Sequence, residues 1–230
     1  MKKCVMKQIG VLLTVMLLTG SVSCAMADLK EADGNVLFNT DTTYEKIVDG
    51  ALRAVRSHRC KGTVLIAADD EIILFCGAGG VVTRTGEPVD LYTVYDIASC
   101  SKLFTAVAVF QLIEAGKISL DDTVDRFFPA YETGKGIKVW HLLHMQSGIP
   151  DYVNDPVAFW VKIGEENMDQ FMIRLFRDEV SDEELLDNLY SAPLAFEPGS
   201  RYSYCNTNYH LLAMIVEQVS GLKYCDYLQK

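Results

Sequence analysis

Apolar positions at Ile47, Val48, Ala51, Leu52 and Val55 recur at helical spacing, which predicts an amphipathic helix over Thr43 to Ser57. The pattern then changes. "KGTVLIAADDEIILFCG" is rich in β-branched residues on both sides of Asp69-Asp70, and it predicts a hairpin from about Gly62 to Gly77, broken by Gly77, Gly79 and Gly80. Past a loop through Gly86 and Pro88, a helix is predicted from about Ser99 to Ala115, ending at Gly116. Leu103, Phe104, Val107, Val109, Phe110, Leu112 and Ile113 leave that helix almost no polar face, so it is expected to be enclosed nearly all round.

Helical spacing dominates the remainder. A short helix is predicted around Val139 to Met145, then a turn at Ser147-Gly148-Ile149-Pro150, and a long amphipathic helix over Tyr152 to Arg177. Ser181 with Glu184 forms the signature of a capping box. "EPGSRYSYCN" reads as a loop before an apolar helix over Asn208 to Val219, closed by Gly221. The polar stretch Asp28 to Asn39 has no period and reads as a loose lead-in. The order is therefore one helix, one hairpin and a run of helices. A two-stranded sheet is marginal alone, so this order suggests that strand partners are missing.

Composition narrows the class. At 230 residues the chain can bury one sizeable core, or one domain with an inserted subdomain. Residues 1–27 read as a signal peptide: Lys2, Lys3 and Lys7 precede an apolar run from Ile9 to Leu18, and Ala25-Met26-Ala27 offers a cleavage site. The protein is thus expected to be exported, periplasmic or extracellular. Cys24 raises lipid anchoring as an alternative, but Ser21 stands where a bulky aliphatic residue would be expected for that. Cleavage leaves no transmembrane span. It also removes three lysines and takes the formal charge from −10 to −13. Such an acidic surface repels nucleic acid and anionic membranes, so nucleic-acid partners are excluded. Cys60, Cys76, Cys100, Cys205 and Cys225 remain, with no regular framework, and read as small buried fillers.

The candidate chemistry sits at the mouth of the apolar helix, in "YDIASCSKLFTAVAVFQLIEAG". Residues at i and i+3 share a helix face, so Ser99 and Lys102 would bring a hydroxyl and an amine together. Serine is a poor nucleophile until a base takes its proton, and a desolvated lysine can be that base. Taken alone, the pair reads equally as an N-cap serine beside a surface lysine. The same spacing recurs at Ser220-Gly221-Leu222-Lys223, where the glycine ends a helix instead of continuing it. Tyr204 and Asn206, alone, could be a capping turn. His141 and His144 are three residues apart but lack a third ligand, so no metal is expected, and no cofactor. There is no GxSxG elbow, HExxH or phosphate loop.

Taken together, "YDIASCSK", "AGKISLDDTVDRFFP", "IKVWHLLHMQSGIPDY" and "PGSRYSYCN" resemble, in this order, the serine β-lactamase and penicillin-recognising D,D-peptidase family, in its class C and related-esterase branch. The resemblance runs from about Thr43 to Tyr227. It implies an α+β fold, an antiparallel sheet packed by helices with a large helical subdomain at about 99–220. By the same resemblance Ser99 is the acylated nucleophile, Lys102 its partner, and Tyr204 the shuttle for the leaving group's proton. Asn206 would orient substrate and lysine. The substrate would be a β-lactam, a D-Ala or other peptidoglycan peptide, or a small ester. The family's third motif, a Lys-Thr-Gly or His-x-Gly triplet, does not follow Asn206 before Lys230. The chain is therefore expected to be a C-terminally truncated member: a lead-in over 28–42, then an incomplete hydrolase domain over 43–230 holding only the N-terminal hairpin of the sheet. The rival reading is a truncated or non-catalytic cell-wall binding or sensing homologue. The chain's order fixes no oligomeric state.

Overall fold

The structure is a computed structural model that describes residues 29–32, 36–39, 41–56, 62–68, 71–78, 86–163, 167–177 and 179–230. The signal peptide expected over 1–27 lies outside the described residues. The described residues divide into two compact units, one within 29–96 and the other within 97–230.

In the first unit, the strands are β1 (Leu29–Ala32), β2 (Val36–Asn39), β3 (Gly62–Ala68) and β4 (Glu71–Ala78). They form one antiparallel sheet in the order β1-β2-β4-β3. The β3–β4 pair is the predicted hairpin, with Leu65 opposite Phe75 and a bulge at Ile66/Ala67. β4 lies between two neighbours, which explains its near-continuous apolar run. Ile72, Ile73, Leu74 and Cys76 are all buried. The second pair departs from expectation. The stretch expected as a loose lead-in supplies β1 and β2, and β2 adds to β4 with Leu37 opposite Phe75. Strands of four residues have too few positions to display a period of two, and the polar residues on either side of Val36-Leu37-Phe38 concealed them. Helix α1 (Glu45–Arg56) follows a turn whose cap is Asp41, accepting from Thr43 N–H at 2.8 Å, and it lies against β4. A loop is tied to β3 where Thr63 Oγ1 meets Tyr95 Oη at 2.8 Å and Asp90 O at 3.1 Å.

The second unit is helical: α2 (Ser101–Glu114), α3 (Val139–Leu143), α4 (Pro156–Phe159), α5 (Met168–Phe176), α6 (Asp182–Leu189), α7 (Asn206–Ser220) and α8 (Tyr224–Leu228). Helix α7 is the spine. It packs against α2, α3 and α8, and Leu211, Leu212, Ile215 and Val216 on it are fully buried. From α2, Val109 and Leu112 meet the same core. Each such side chain contributes about 1.5–3 kcal/mol by leaving water. Thr105 on α2 and Tyr224 on α8 share a buried hydrogen bond at 2.6 Å, which fixes how those helices meet.

Three helical expectations change. The single helix predicted over 152–177 is α4 and α5, with a turn at Trp160. That indole is fully buried, and its Nε1–H donates to Tyr152 O at 2.8 Å, which turns the chain inward instead of continuing the helix. Ser181 does cap α6, accepting from Glu184 N–H at 3.1 Å, but the Glu184 carboxylate leaves the capping box to pair with Arg174 at 3.2 Å. Helix α2 also differs. Thr105, Ala108, Val109 and Leu112 are buried, while Leu103, Val107 and Phe110 are 68%, 50% and 46% exposed. It is enclosed on one face, not all round.

The stretch before α7 is shaped by one glycine. Gly148 has φ 78°, and a Cβ there would lie 2.1 Å from Phe196 O. Its own carbonyl accepts from Ala195 N–H at 2.8 Å. Only a residue without a side chain lets these two loops close on each other.

Candidate active site

Ser99 sits in a single 3-10 turn, Ala98–Cys100, that runs directly into α2. Ala98 holds a left-handed backbone at φ 44°, unusual for a residue with a Cβ. Its carbonyl is gripped by Ser101, whose Oγ donates at 2.6 Å and whose N–H points to the same oxygen. This turn presents the Ser99 hydroxyl outward at the helix mouth, with its N–H ahead of the first intrahelical bond.

Tyr204 arrives from 105 positions further along the chain, and its Oη lies 2.6 Å from Ser99 Oγ. Lys102, half-buried, donates from Nζ to Ser99 Oγ at 3.1 Å and to Asn206 Oδ1 at 2.8 Å. All four residues named from the sequence thus meet at one place. The lysine is also flanked by rings, with Nζ 5.0 Å from the Tyr204 centroid and 5.8 Å from that of Tyr209. Burial raises the Tyr209 phenol above its ordinary pKa, reinforced by Tyr204 and Tyr202, and its hydroxyl donates to Leu143 O at 3.2 Å. Tyr209 is therefore a wall, not a titrating partner. The capping-turn alternative for Asn206 is not what the structure shows: the N-cap of α7 is Cys205, and the Asn206 amide turns toward Lys102.

The mouth of α7 is stitched to the Ser-Gly-Ile-Pro-Asp-Tyr turn. Ser147 Oγ donates to Asn208 Oδ1 at 2.6 Å and accepts from Ile149 N–H at 3.1 Å. Thr207 Oγ1 donates to Pro150 O at 2.9 Å and accepts from Tyr152 N–H at 3.0 Å. Ser203 N–H reaches Met145 O at 2.8 Å, which anchors the residue before Tyr204. The Ser147 and Thr207 bonds are buried, and each closes a polar group that would otherwise be costly.

The two motif cysteines differ in their surroundings. Burial pushes the Cys205 thiol up to about 11, and its Sγ donates to Ile149 O at 3.3 Å. It is the filler expected. Cys100 is not: it is exposed, because the 3-10 turn rotates it away from the core. The two histidines have structural partners. His141 Nδ1 accepts from Lys138 N–H at 3.0 Å, and the His144 ring lies tilted at 42° against Trp140 with centroids 3.7 Å apart. The second Ser-x-x-Lys diverges as expected, with Gly221 left-handed at φ 71°.

Sequence reasoning did not single out Asp151 or Tyr209. Asp151 Oδ2 accepts from Asn206 N–H at 2.8 Å and from Asn206 Nδ2 at 2.9 Å. The visible signal was its place in Ile-Pro-Asp-Tyr, but the pattern could not say what it bonds.

The family model described as Beta-lactamase matches residues 41–230. Penicillin-binding protein 4* of Bacillus subtilis (strain 168) is 33% identical over 174 residues, 75% of this chain and 35% of the relative. D-aminopeptidase of Brucella anthropi is 31% identical over 169 residues, 74% of this chain and 30% of the relative. The chain spans about a third of the length of these curated relatives. Among solved structures, a penicillin binding protein from Bacillus halodurans is 30% identical with a TM-score of 0.58, over 77% of this chain and 52% of that one. No helix among the described residues is long and apolar enough to cross a membrane.

Proposed function

The chain belongs to the beta-lactamase family, and from that premise we propose that it is an exported serine hydrolase working through an ester of Ser99. The observation that carries the reading is the meeting of Ser99 Oγ with Tyr204 Oη at 2.6 Å and Lys102 Nζ at 3.1 Å. Ser99 Oγ attacks the carbonyl carbon of a β-lactam, a D-Ala peptide or a small ester. As that C–O bond forms, the hydroxyl proton passes to the Tyr204–Lys102 pair. The same pair delivers it to the leaving nitrogen or oxygen as the old bond breaks. Water then attacks the Ser99 ester, its proton returns by the reverse path, and the acid leaves. Phenol and amine both bond the Ser99 hydroxyl, so the base is the pair. The Ser99 N–H, in the first turn, supplies one donor to the oxyanion.

The relatives' names include a penicillin-binding protein, a D-aminopeptidase and, at 31% identity over 74% of this chain, an esterase of Burkholderia gladioli, which supports keeping lactam, D-residue amide and ester together as the substrate classes. The charged and apolar leader over 1–27 supports export, with the mature chain starting at Asp28. Incubation with a fluorescent penicillin and, in parallel, a fluorophosphonate tests the reading by intact mass. A covalent adduct absent in Ser99→Ala supports it. No adduct with either probe, alongside measurable binding of muropeptides, replaces it with the non-catalytic binding reading.

A further inference from the structure

Asp151 is 5% exposed, yet it carries a carboxylate that accepts from five N–H groups. Oδ1 takes Val153 N–H at 2.8 Å and Asn154 N–H at 2.9 Å, closing the local turn. Oδ2 takes Asn154 Nδ2 at 2.9 Å, Asn206 N–H at 2.8 Å and Asn206 Nδ2 at 2.9 Å. All five donors are neutral, and none can accept a proton from Asp151. The turn alone needs only one acceptor, which an asparagine or a serine would supply. A second acceptor is needed because Asn206 points two donors at Oδ2, where Asn154 Nδ2 also bonds.

We propose that Asp151 is a positioning residue that sets the polarity of the Asn206 amide, so that Oδ1 and not Nδ2 faces Lys102. The proposal rests on the acyl-transfer reading of Ser99 for its catalytic consequence, though not for its geometry. An asparagine amide has a donor end and an acceptor end of nearly equal shape, and its surroundings choose between them. Here the choice is forced from both sides. Nδ2 is held by the carboxylate, and Oδ1 accepts from Nζ at 2.8 Å. A flipped amide would press its NH2 against the lysine amine and its carbonyl against the carboxylate. Lys102 would then lose the acceptor that, with Ser99 Oγ, aims it along the helix face. The bonds run in one direction, from Asn206 to Asp151 on one side and from Lys102 to Asn206 and Ser99 on the other.

Asp151→Asn in the full chain tests this. A single amide oxygen cannot serve donors on both sides, so at least two of the five are left unpaired. With asparagine 15N-labelled, the Asn206 Nδ2 resonances of the wild type should exchange with solvent at least about 10-fold slower than a free side-chain amide. In D151N they should shift and lose that protection. Fluorophosphonate acylation of Ser99 should fall about 10- to 100-fold, and D151N placed on Asn206→Ala should cost no further loss. An unprotected wild-type amide overturns the proposal, as does unchanged Asn206 protection in D151N or a loss that adds fully to that of N206A. If D151N does not fold, the wild-type exchange measurement still decides. A wild-type chain that forms no adduct sinks the acyl-transfer reading alone, because the amide measurement needs no turnover.

Discussion

Two stretches of this chain carry serine and lysine three residues apart, and they end in opposite structural roles. At Ser99-Lys102 the spacing opens a helix. A 3-10 turn feeds α2, so the two side chains lie on one face with Nζ 3.1 Å from Oγ. At Ser220-Lys223 the spacing closes one helix and starts another. Gly221 turns left-handed at φ 71°, Ser220 Oγ accepts from Leu222 N–H at 3.2 Å, and Lys223 is the extended N-cap of α8. The first serine meets a phenol from 105 positions away, while the second is spent on its own turn. The spacing is equal; a continuous helix and a tertiary partner make the difference.

The comparison breaks most sharply under alanine. Ser99→Ala should abolish adduct formation, a loss of about 10³-fold or more in acylation rate, whereas Ser220→Ala should leave it unchanged. Intact mass after incubation with fluorophosphonate reads both. A comparable loss from S220A would mean that the second pair takes part in the chemistry, and the distinction would dissolve.

The lysines sharpen it. Lys102→Ala removes the donor to both Ser99 Oγ and Asn206 Oδ1, and acylation should fall about 10²–10⁴-fold with little change in melting temperature. Lys223→Ala, exposed at the start of α8, should match the wild type in both measurements. Should K102A lose as much stability as activity, the lysine would be a structural strut.

Why one pair was readable and its supports were not follows from where the information lies. Ser99, Lys102, Tyr204 and Asn206 could be named because each sits in a short run beside an apolar helix, and those runs occur in a specific order. Asp151 stood in plain view in Ile-Pro-Asp-Tyr, but its role comes from donors 55 positions away. Tyr209 looked like one more aromatic on a buried helix until its ring was placed beside Nζ. The hairpin over β3 and β4 was legible from its β-branched content. β1 and β2 were not, being four residues each and set among polar residues. The period over 152–177 was truly helical in parts, and the first helix ends where Trp160 turns into the core. Apolar composition showed that α2 needs covering, but a pattern names no partner. So Leu103, Val107 and Phe110 were expected inside and are exposed.

Glycine 221 offers a smaller test on the stability side. A Cβ built there meets nothing within 4 Å, so Gly221→Ala isolates the cost of a left-handed backbone. The expected loss is about 1 kcal/mol, read as a lower denaturation midpoint at unchanged slope, with acylation unaffected. A neutral G221A would mean that α7 can end another way, and that the second Ser-x-x-Lys could in principle continue as a helix.

The smallest effect is expected at the same backbone conformation beside the first pair. Ala98 is left-handed at φ 44° with a Cβ, where Gly221 has none. Relief of that strain in Ala98→Gly is worth about 1 kcal/mol, but glycine also frees the unfolded chain by about 0.4–1 kcal/mol, so net stability should barely move. Activity should still respond. The turn aims Ser99 Oγ at Tyr204 Oη across 2.6 Å, and a glycine widens the angles from which the hydroxyl can start. A loss of a few-fold in acylation at equal stability is the expected result. If A98G instead gains a full kcal/mol and acylates as fast as wild type, the strain at the helix mouth is incidental to the aim of the serine. The contrast between the two pairs would then rest on their partners alone.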